Sequence, residues 1–455
     1  MRVLLIATNT ETEPYPVFPL GMAVIASALS SAGHDVHQVD CLASGGGREE
    51  VRRFCRDFTP EAVGISLRNV DNVDSLTAHE HWALEGVREM VAFIRSLSPA
   101  PVFMGGPGFS LMPGKILDYT GADYGVTGEG EAACCELLDL LSQGQTPPRV
   151  MKGKKRLTGQ DIHGAAPDPQ ILDYYLQESG IASIQTKRGC PNACSYCTYP
   201  ALEGTKIRAR EPGAVVDDIE RLLKDHEVNE LFFTDSVFND NEGHWLRLAE
   251  EMAHREIKIP WSGFFQPTEM RREELKLCKR TGLKAVELGT DAASDATLKG
   301  ICKRYDFATV ERVNALCVSE QMPCAHFIIM GGPGETELTV REGLNNMERL
   351  DHSVVFVFLG IRVYPDTLLL RQAIREGILP PETNCIEPTY YFSPHIDAKT
   401  VEDQLTQAFK GRRDRLFPPS KGQEQIAVMR KFGFRGILWD TLIRFPKNRV
   451  RKGRP

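Results

Sequence analysis

The chain has 455 residues, of which 42% are hydrophobic and 25% charged, with a formal net charge of −7. This is the balance of a globular protein with a sizeable core, and its acidic sign leaves no electrostatic footprint for a nucleic-acid partner. The length exceeds one ordinary core, so two or three domains are expected.

The N-terminal stretch MRVLLIATNTETEP turns polar after Ala7, and it reads as a strand rather than a signal peptide. No run approaches the roughly 20 apolar residues needed to cross a bilayer, so no transmembrane segment and a cytoplasmic, reducing location are expected. There the 12 cysteines would not form a disulfide framework, and the nine outside residues 187–200 read as small buried hydrophobes.

Residues 1–145 are expected to form an α/β domain. Strand patterns at 2–7, 35–40, 62–66, 101–106 and 122–128 alternate with helical patterns such as 19–33, closed by Gly33, and 129–144. That alternation predicts a doubly wound parallel sheet, whose ligands sit beyond the carboxyl ends of the strands. Those ends carry Ser66, Arg68 and Asn69, then Gly105, Gly106 and Gly108 in GGPGFS, then Gly128, Glu129 and Gly130 in GEGE. Three such loops in a row point to a nucleotide-like or larger planar ligand. No GxGxxG follows the first strand, so the dinucleotide fingerprint is absent.

Residues 146–180 read as a linker. From 181 to 375 six further strand patterns, at 181–188, 230–235, 259–265, 284–290, 323–331 and 353–364, alternate with helices and predict a partial (β/α)6 barrel. Residues 376–455 form a mixed, partly helical extension expected to cover the open side of the barrel. Its basic end, RFPKNRVRKGRP (444–455), reads as a solvated terminus.

The stretch KRGCPNACSYCTYP (187–200) places Cys190, Cys194 and Cys197 in one loop directly after the first barrel strand. A structural zinc site takes four ligands, usually from two separated pairs, and a cubane iron–sulfur cluster also normally takes four thiolates. Three thiolates on a cubane leave one iron open, and an open metal position is where chemistry happens. Catalysis at strand ends is also what a barrel supports.

The C-x3-C-x2-C spacing with Tyr196 before the last cysteine resembles the radical S-adenosylmethionine (SAM) superfamily. The resemblance implies a 4Fe-4S cluster on Cys190, Cys194 and Cys197, with SAM chelated at the open iron and cleaved by one electron to a 5′-deoxyadenosyl radical. It implies SAM contacts from Tyr196, from Asp235 in LFFTDSVFN, from Asp291 in VELGTD and from Gly331 and Gly332 in FIIMGGPGET. Asp235 is followed by Ser236, where relatives carry an acidic pair.

The first domain is similar to the cobalamin-binding domain that precedes some radical SAM domains, through FPLGMAVIASALSSAGHDVHQVD, VGISLRNVDN, FMGGPGFS and DYGVTGEGE. This implies cobalamin at the three glycine-rich and polar loops named above. The usual D-x-H-x-x-G loop is replaced by TNTETEPYPVFPLG, so no His from it ligates cobalt. With IRVYPDTLLLRQAIREGIL and EPTYYFSP, the chain looks like the branch often labelled lipid-biosynthesis cobalamin/radical SAM proteins. Arg362, Tyr364 and Asp366 are candidates to face substrate, while YPDT reads equally as a proline turn that caps the next helix.

The family implies a cobalamin-dependent radical SAM enzyme, foremost a methyltransferase acting on an unactivated carbon. Its partners would be a small-molecule or lipid-like substrate and an electron donor such as a flavodoxin or ferredoxin. Cyclisation or rearrangement with the same cofactors is the nearest alternative, followed by a cobalamin-free radical SAM enzyme. A methylthiotransferase would need three further cysteines at strand-end loops of the first domain, and Cys41, Cys55, Cys134 and Cys135 do not fall there. An iron–sulfur or cobalamin sensor is the least favoured reading, because no output module follows.

Overall fold

The computed structural model describes residues 1–445 except 79, 81, 154, 155 and 269, and the side chains of 423–425 are likewise not described. Most of the basic terminus, 446–455, therefore lies outside the described residues. Strands β1 (Arg2–Ala7), β2 (Asp35–Asp40), β3 (Ala62–Ser66), β4 (Val102–Gly105), β5 (Tyr124–Thr127) and β6 (Val150–Lys152) form one parallel sheet. Its order is β2-β1-β3-β4-β5-β6, so the direction of winding reverses between β1 and β3. A crevice at such a reversal is where open α/β sheets bind ligands.

Alternate residues of β1 feed opposite layers. Leu4 and Ile6 pack with the helices Arg48–Asp57 and Leu84–Leu97, and Val3 and Leu5 pack with Leu20–Ser31 and Gly130–Ser142. Gly33 has the positive φ of +86° expected after the first helix.

The segment expected to be a linker is largely structured. Val150–Lys152 is the sixth strand, pairing with β5, and Pro169–Ser179 is a helix. Asp168 caps that helix by accepting from the backbone amides of Gln170 and Ile171, Pro169 starts it, and Gly180 ends it with φ +74°. The hydroxyl of Tyr175 donates to Asp40 at 3.1 Å, which ties the helix to the end of β2.

The second sheet runs β7 (Ile181–Ile184), β10 (Glu230–Phe233), β11 (Trp261–Phe265), β12 (Val286–Asp291), β13 (Cys324–Met330), β14 (Val354–Leu359) and finally β17 (Arg415–Leu416). All its pairings are parallel. Two short antiparallel pairs flank it: β8 (Lys187–Arg188) with β9 (Arg208–Ala209), and β15 (Ile361–Arg362) with β16 (Tyr390–Tyr391).

Leu231 and Phe233 turn outward to the helical layer, while Phe232 turns inward with Ile181, Ala325 and Phe356. Ile437 and Trp439 from the C-terminal extension fill the same interior. The extension thus does more than cover the barrel: it adds a seventh strand and plugs the lumen. Trp439 Nε1 donates to Glu287 there at 3.1 Å. The cysteines outside the 187–200 loop are mainly buried, with Cys135 intermediate and Cys302 exposed.

Candidate active site at the facing strand ends

The three-cysteine loop is held from below by a buried carboxylate. Asp235, at the end of β10, accepts from the backbone amides of Thr186 (2.8 Å) and Lys187 (3.2 Å) and from the Thr186 hydroxyl. The Lys187 ammonium lies 3.4 Å from Asp235 and 3.1 Å from Asp240 and donates to the Phe238 carbonyl at 2.7 Å. Both oxygens of Asp235 are engaged within the protein, so this carboxylate, expected from the resemblance to meet SAM, also shapes the loop. Ser236 donates to the Gly189 carbonyl at 3.2 Å.

Gly189 has φ +100°, and a Cβ there would stand 2.1 Å from the Lys206 carbonyl oxygen. Only glycine lets the chain enter the loop at this point. Further on, the Ser195 amide donates to the Ile301 carbonyl (3.1 Å), and the Ser195 carbonyl accepts from Leu369 (2.8 Å). Both contacts tie the loop to neighbouring segments of the barrel.

Cys190 is buried, while Cys194 and Cys197 are partly exposed. Desolvation pushes the Cys194 thiol up and the Cys197 thiol up to about 12. Such thiols ionise only beside strong positive charge, which iron supplies. A structural zinc takes four ligands on one ion, whereas a cubane spreads its thiolates over separate irons, so a loop that brings three thiols fits a cluster with one open iron. Ser195 Oγ, buried between Cys194 and Tyr196, also has no partner.

Asp291 does lie beside this loop, ion-paired with Lys303. The Lys303 ammonium stands 5.8 Å from the ring centre of Tyr196 and 6.0 Å from that of Tyr305. Lys303 was missed in the sequence because nothing in KGICKRYD marks one cation over its neighbours. Gly331 adopts φ +89°, its amide donates to Glu335 (3.1 Å) and its carbonyl accepts from Ser393 (2.8 Å). At Gly332 a Cβ would sit 3.0 Å from Ile361, a tight fit for packing.

The substrate-facing candidates separate. Arg362 is buried, with Nε 2.7 Å from Asp71, further donation to the carbonyls of Val363 (2.7 Å) and Cys385 (3.0 Å), and its guanidinium over the Tyr364 ring. It joins the two domains and is not free to meet substrate. Asp366 is exposed at φ +61°, and Thr367 caps the helix Leu368–Arg375 by accepting from Leu370, as the turn reading expected. Tyr364 remains half-buried at this edge.

On the first domain, the strand ends at the winding reversal carry polar atoms with no partner: Thr8 Oγ1, Asn9 Nδ2 and Arg68 Nε, all buried. Desolvation holds Arg68 below its ordinary pKa, against the opposing influence of Tyr175, Tyr15, Glu11 and Tyr199. Tyr199 is two residues past Cys197, so Arg68 lies within electrostatic reach of the cysteine loop. Orphaned buried donors of this kind call for a polar ligand. A corrin with amide side chains meets that need, and the residues present fit cobalamin.

Other expected cobalamin contacts have structural duties. A Cβ at Gly106 would come 2.5 Å from the Leu67 carbonyl, and one at Gly108 would come 3.0 Å from that of Arg68, so these glycines admit neighbouring backbone. Gly130 packs against Ile25, and Glu129 pairs with Arg208 (2.5 Å) and accepts from the Leu157 amide (2.7 Å). Gly128 is open, a Cβ at Gly105 would make only ordinary contact with the Val126 carbonyl at 3.7 Å, Ser66 is half-buried, and Asn69 is exposed.

The two sets of strand ends face each other. Besides Arg362–Asp71, Arg188 meets Glu131 at 2.7 Å, Trp82 Nε1 donates to the Ile386 carbonyl (3.1 Å) and Lys115 to that of Asn384 (2.7 Å). The short helices Pro107–Leu111 and Tyr199–Glu203 also touch.

Comparison with known families matches residues 8–138 to the B12 binding domain and residues 184–345 to the radical SAM superfamily. The chain belongs to the cobalamin-binding radical SAM family. The cofactors this pairing of domains implies are a 4Fe-4S cluster, SAM and cobalamin. Tryptophan 2-C-methyltransferase of Streptomyces laurentii is 29% identical over 429 residues, covering 77% of this chain and 71% of the relative. Anaerobic magnesium-protoporphyrin IX monomethyl ester cyclase of Cereibacter sphaeroides is 26% identical, covering 71% of this chain and 55% of its own. The structure of the radical SAM methyltransferase TsrM from Kitasatospora setae, with cobalamin and a 4Fe-4S cluster bound, superposes with a TM-score of 0.83. That match covers 97% of each chain at 24% identity and shows the shared fold. Among the described residues no helix is long and apolar enough to cross a membrane.

Proposed function

We propose that this chain is a cobalamin-dependent radical SAM methyltransferase that places a methyl group on an unactivated carbon of a small-molecule or lipid-like substrate. The observation that carries the reading is the unpartnered trio Thr8, Asn9 and Arg68 lying opposite a three-thiol loop. When bound, the cluster and SAM supply one-electron chemistry at carbon, and cobalamin carries the methyl group.

The protein's own part is positioning and exclusion of water. Cys190, Cys194 and Cys197 would hold the cluster on a loop fixed by Asp235 and Lys187. Arg68 would present its cationic head to the corrin. Arg362, Asp71 and the Arg188–Glu131 pair would keep the two strand-end faces together around the reactants. The electron would come from a flavodoxin or ferredoxin in the cytoplasm.

The likeness to a tryptophan C-methyltransferase over most of the chain favours methyl transfer. Likeness to a cyclase supports a second reading, radical cyclisation with the same cofactors. Incubating the reconstituted protein with reductant, hydroxocobalamin and SAM labelled in its methyl group separates them. Label recovered with the extracted cobalamin is expected for methyl transfer. Formation of 5′-deoxyadenosine and methionine with no label on cobalamin would shift the assignment to the second reading.

A further inference from the structure

Lys303 sits beside the cysteine loop without belonging to any ligand set. Its side chain is 11% exposed and is ion-paired with Asp291, which is 14% exposed. Its ammonium stands 5.8 Å from the ring centre of Tyr196, which lies between Cys194 and Cys197 in the loop, so its charge bears on the Cys194 thiol. Asp291 and Cys302, the residue before Lys303, have φ values of +62° and +63°, a left-handed conformation that side-chain-bearing residues rarely adopt. Tyr305 fixes the far side, donating to the carbonyls of Gly289 (2.8 Å) and Thr290 (3.2 Å). Two strained backbone positions and one tyrosine clamp thus hold a cation and an anion together beside the cysteine loop, where a surface pair would need neither.

A cubane with three thiolates carries net negative charge in its oxidised 2+ core state and one more after reduction. A nearby buried cation favours the added electron, and a nearby buried anion opposes it, because the surroundings screen both weakly. We propose that Lys303 and Asp291 form a charge couple that sets the reduction potential of the Cys190/Cys194/Cys197 cluster, Lys303 raising it and Asp291 lowering it. Both act as positioning and tuning residues and neither ligates iron. The inference rests on the cluster assignment made above.

The test is an anaerobic redox titration of the reconstituted full-length protein, read by electron paramagnetic resonance in the absence of SAM. Lys303→Met is expected to move the midpoint to more negative potential and Asp291→Asn to more positive potential, with iron content unchanged. Lys303→Arg should restore a value near the wild type. Equal midpoints in wild type, Lys303→Met and Asp291→Asn, at equal iron content, would overturn the proposal. So would shifts of the same sign in both variants, or an unchanged midpoint with weakened SAM binding, which would make Lys303 a contact for the cofactor. Wild-type protein that assembles no cubane would refute the cluster assignment itself, an outcome separate from all of these. Should Lys303→Met lose iron, Lys303→Gln and Lys303→Arg compared at matched iron content decide the sign.

Discussion

At the strand ends of the first sheet, Thr8, Asn9 and Arg68 keep buried polar atoms without protein partners, whereas at the barrel's strand ends Asp235 and Arg362 are fully engaged by neighbouring backbone and side chains. Unsatisfied buried donors are costly and persist where a ligand completes them, while saturated ones hold a scaffold. On the proposed reading, the first domain presents these side chains to cobalamin, while Asp235 and Arg362 hold the barrel's scaffold around the three thiols that would carry the cluster.

Substitutions break or sharpen this contrast, starting with the largest effect. Cys194→Ala should abolish cluster assembly and SAM cleavage, read by iron content and 5′-deoxyadenosine, while cobalamin uptake persists. Loss of cobalamin uptake as well would show that the two faces are not separable sites. Arg362→Met leaves Asp71 buried without its guanidinium, and breaking such a pair costs about 3–5 kcal/mol. A large fall in denaturation midpoint is expected, together with weaker protection of the interdomain contacts in hydrogen exchange. Arg68→Ala removes a buried charged donor, a loss of about 1.5–3 kcal/mol when that donor meets a ligand, so cobalamin should bind about tenfold to a hundredfold more weakly. Its cluster content should match wild type.

The smallest effect is a pH dependence inside the plug. Glu287 is buried among Trp439, Glu230 and Tyr15, and burial raises its carboxyl from 4.5 to about 7. The folded chain then holds that proton more tightly than the unfolded chain, so this group favours the fold at low pH and loses that contribution as pH rises from about 4.5 through 7. Glu287→Gln keeps an acceptor for Trp439 and cannot ionise. Its denaturation midpoint relative to wild type should be higher at pH 8 than at pH 5, and a difference constant with pH would contradict the assignment.

Much of this architecture was legible in local pattern. Strands such as RVLLIA (2–7) and DVHQVD (35–40) occur where alternation of apolar and helical segments predicts them, and the three cysteines announce their loop by spacing alone. The helix Pro169–Ser179 carried its own signals in Asp168, Pro169 and Gly180, but the prolines and basic residues around it suggested a linker. What local pattern cannot carry is pairing across long separations. Arg362 meets Asp71 across 291 positions and Trp439 meets Glu287 across 152, and neither partner has a local signature. The same limit made Arg362 read as substrate-facing and hid the loop-shaping bonds of Asp235: a charge at a strand end looks identical in sequence whether it meets a cofactor or the protein's own groups.

The account depends most on cobalamin at the first domain, opposite the cluster loop. The direct measurement is cobalamin content after anaerobic purification, cluster reconstitution, incubation with hydroxocobalamin and gel filtration. Close to one cobalamin per chain, retained with the cluster, is the predicted result. A chain that holds its cluster and passes through the column without cobalamin would contradict the account and leave a cobalamin-free radical SAM enzyme.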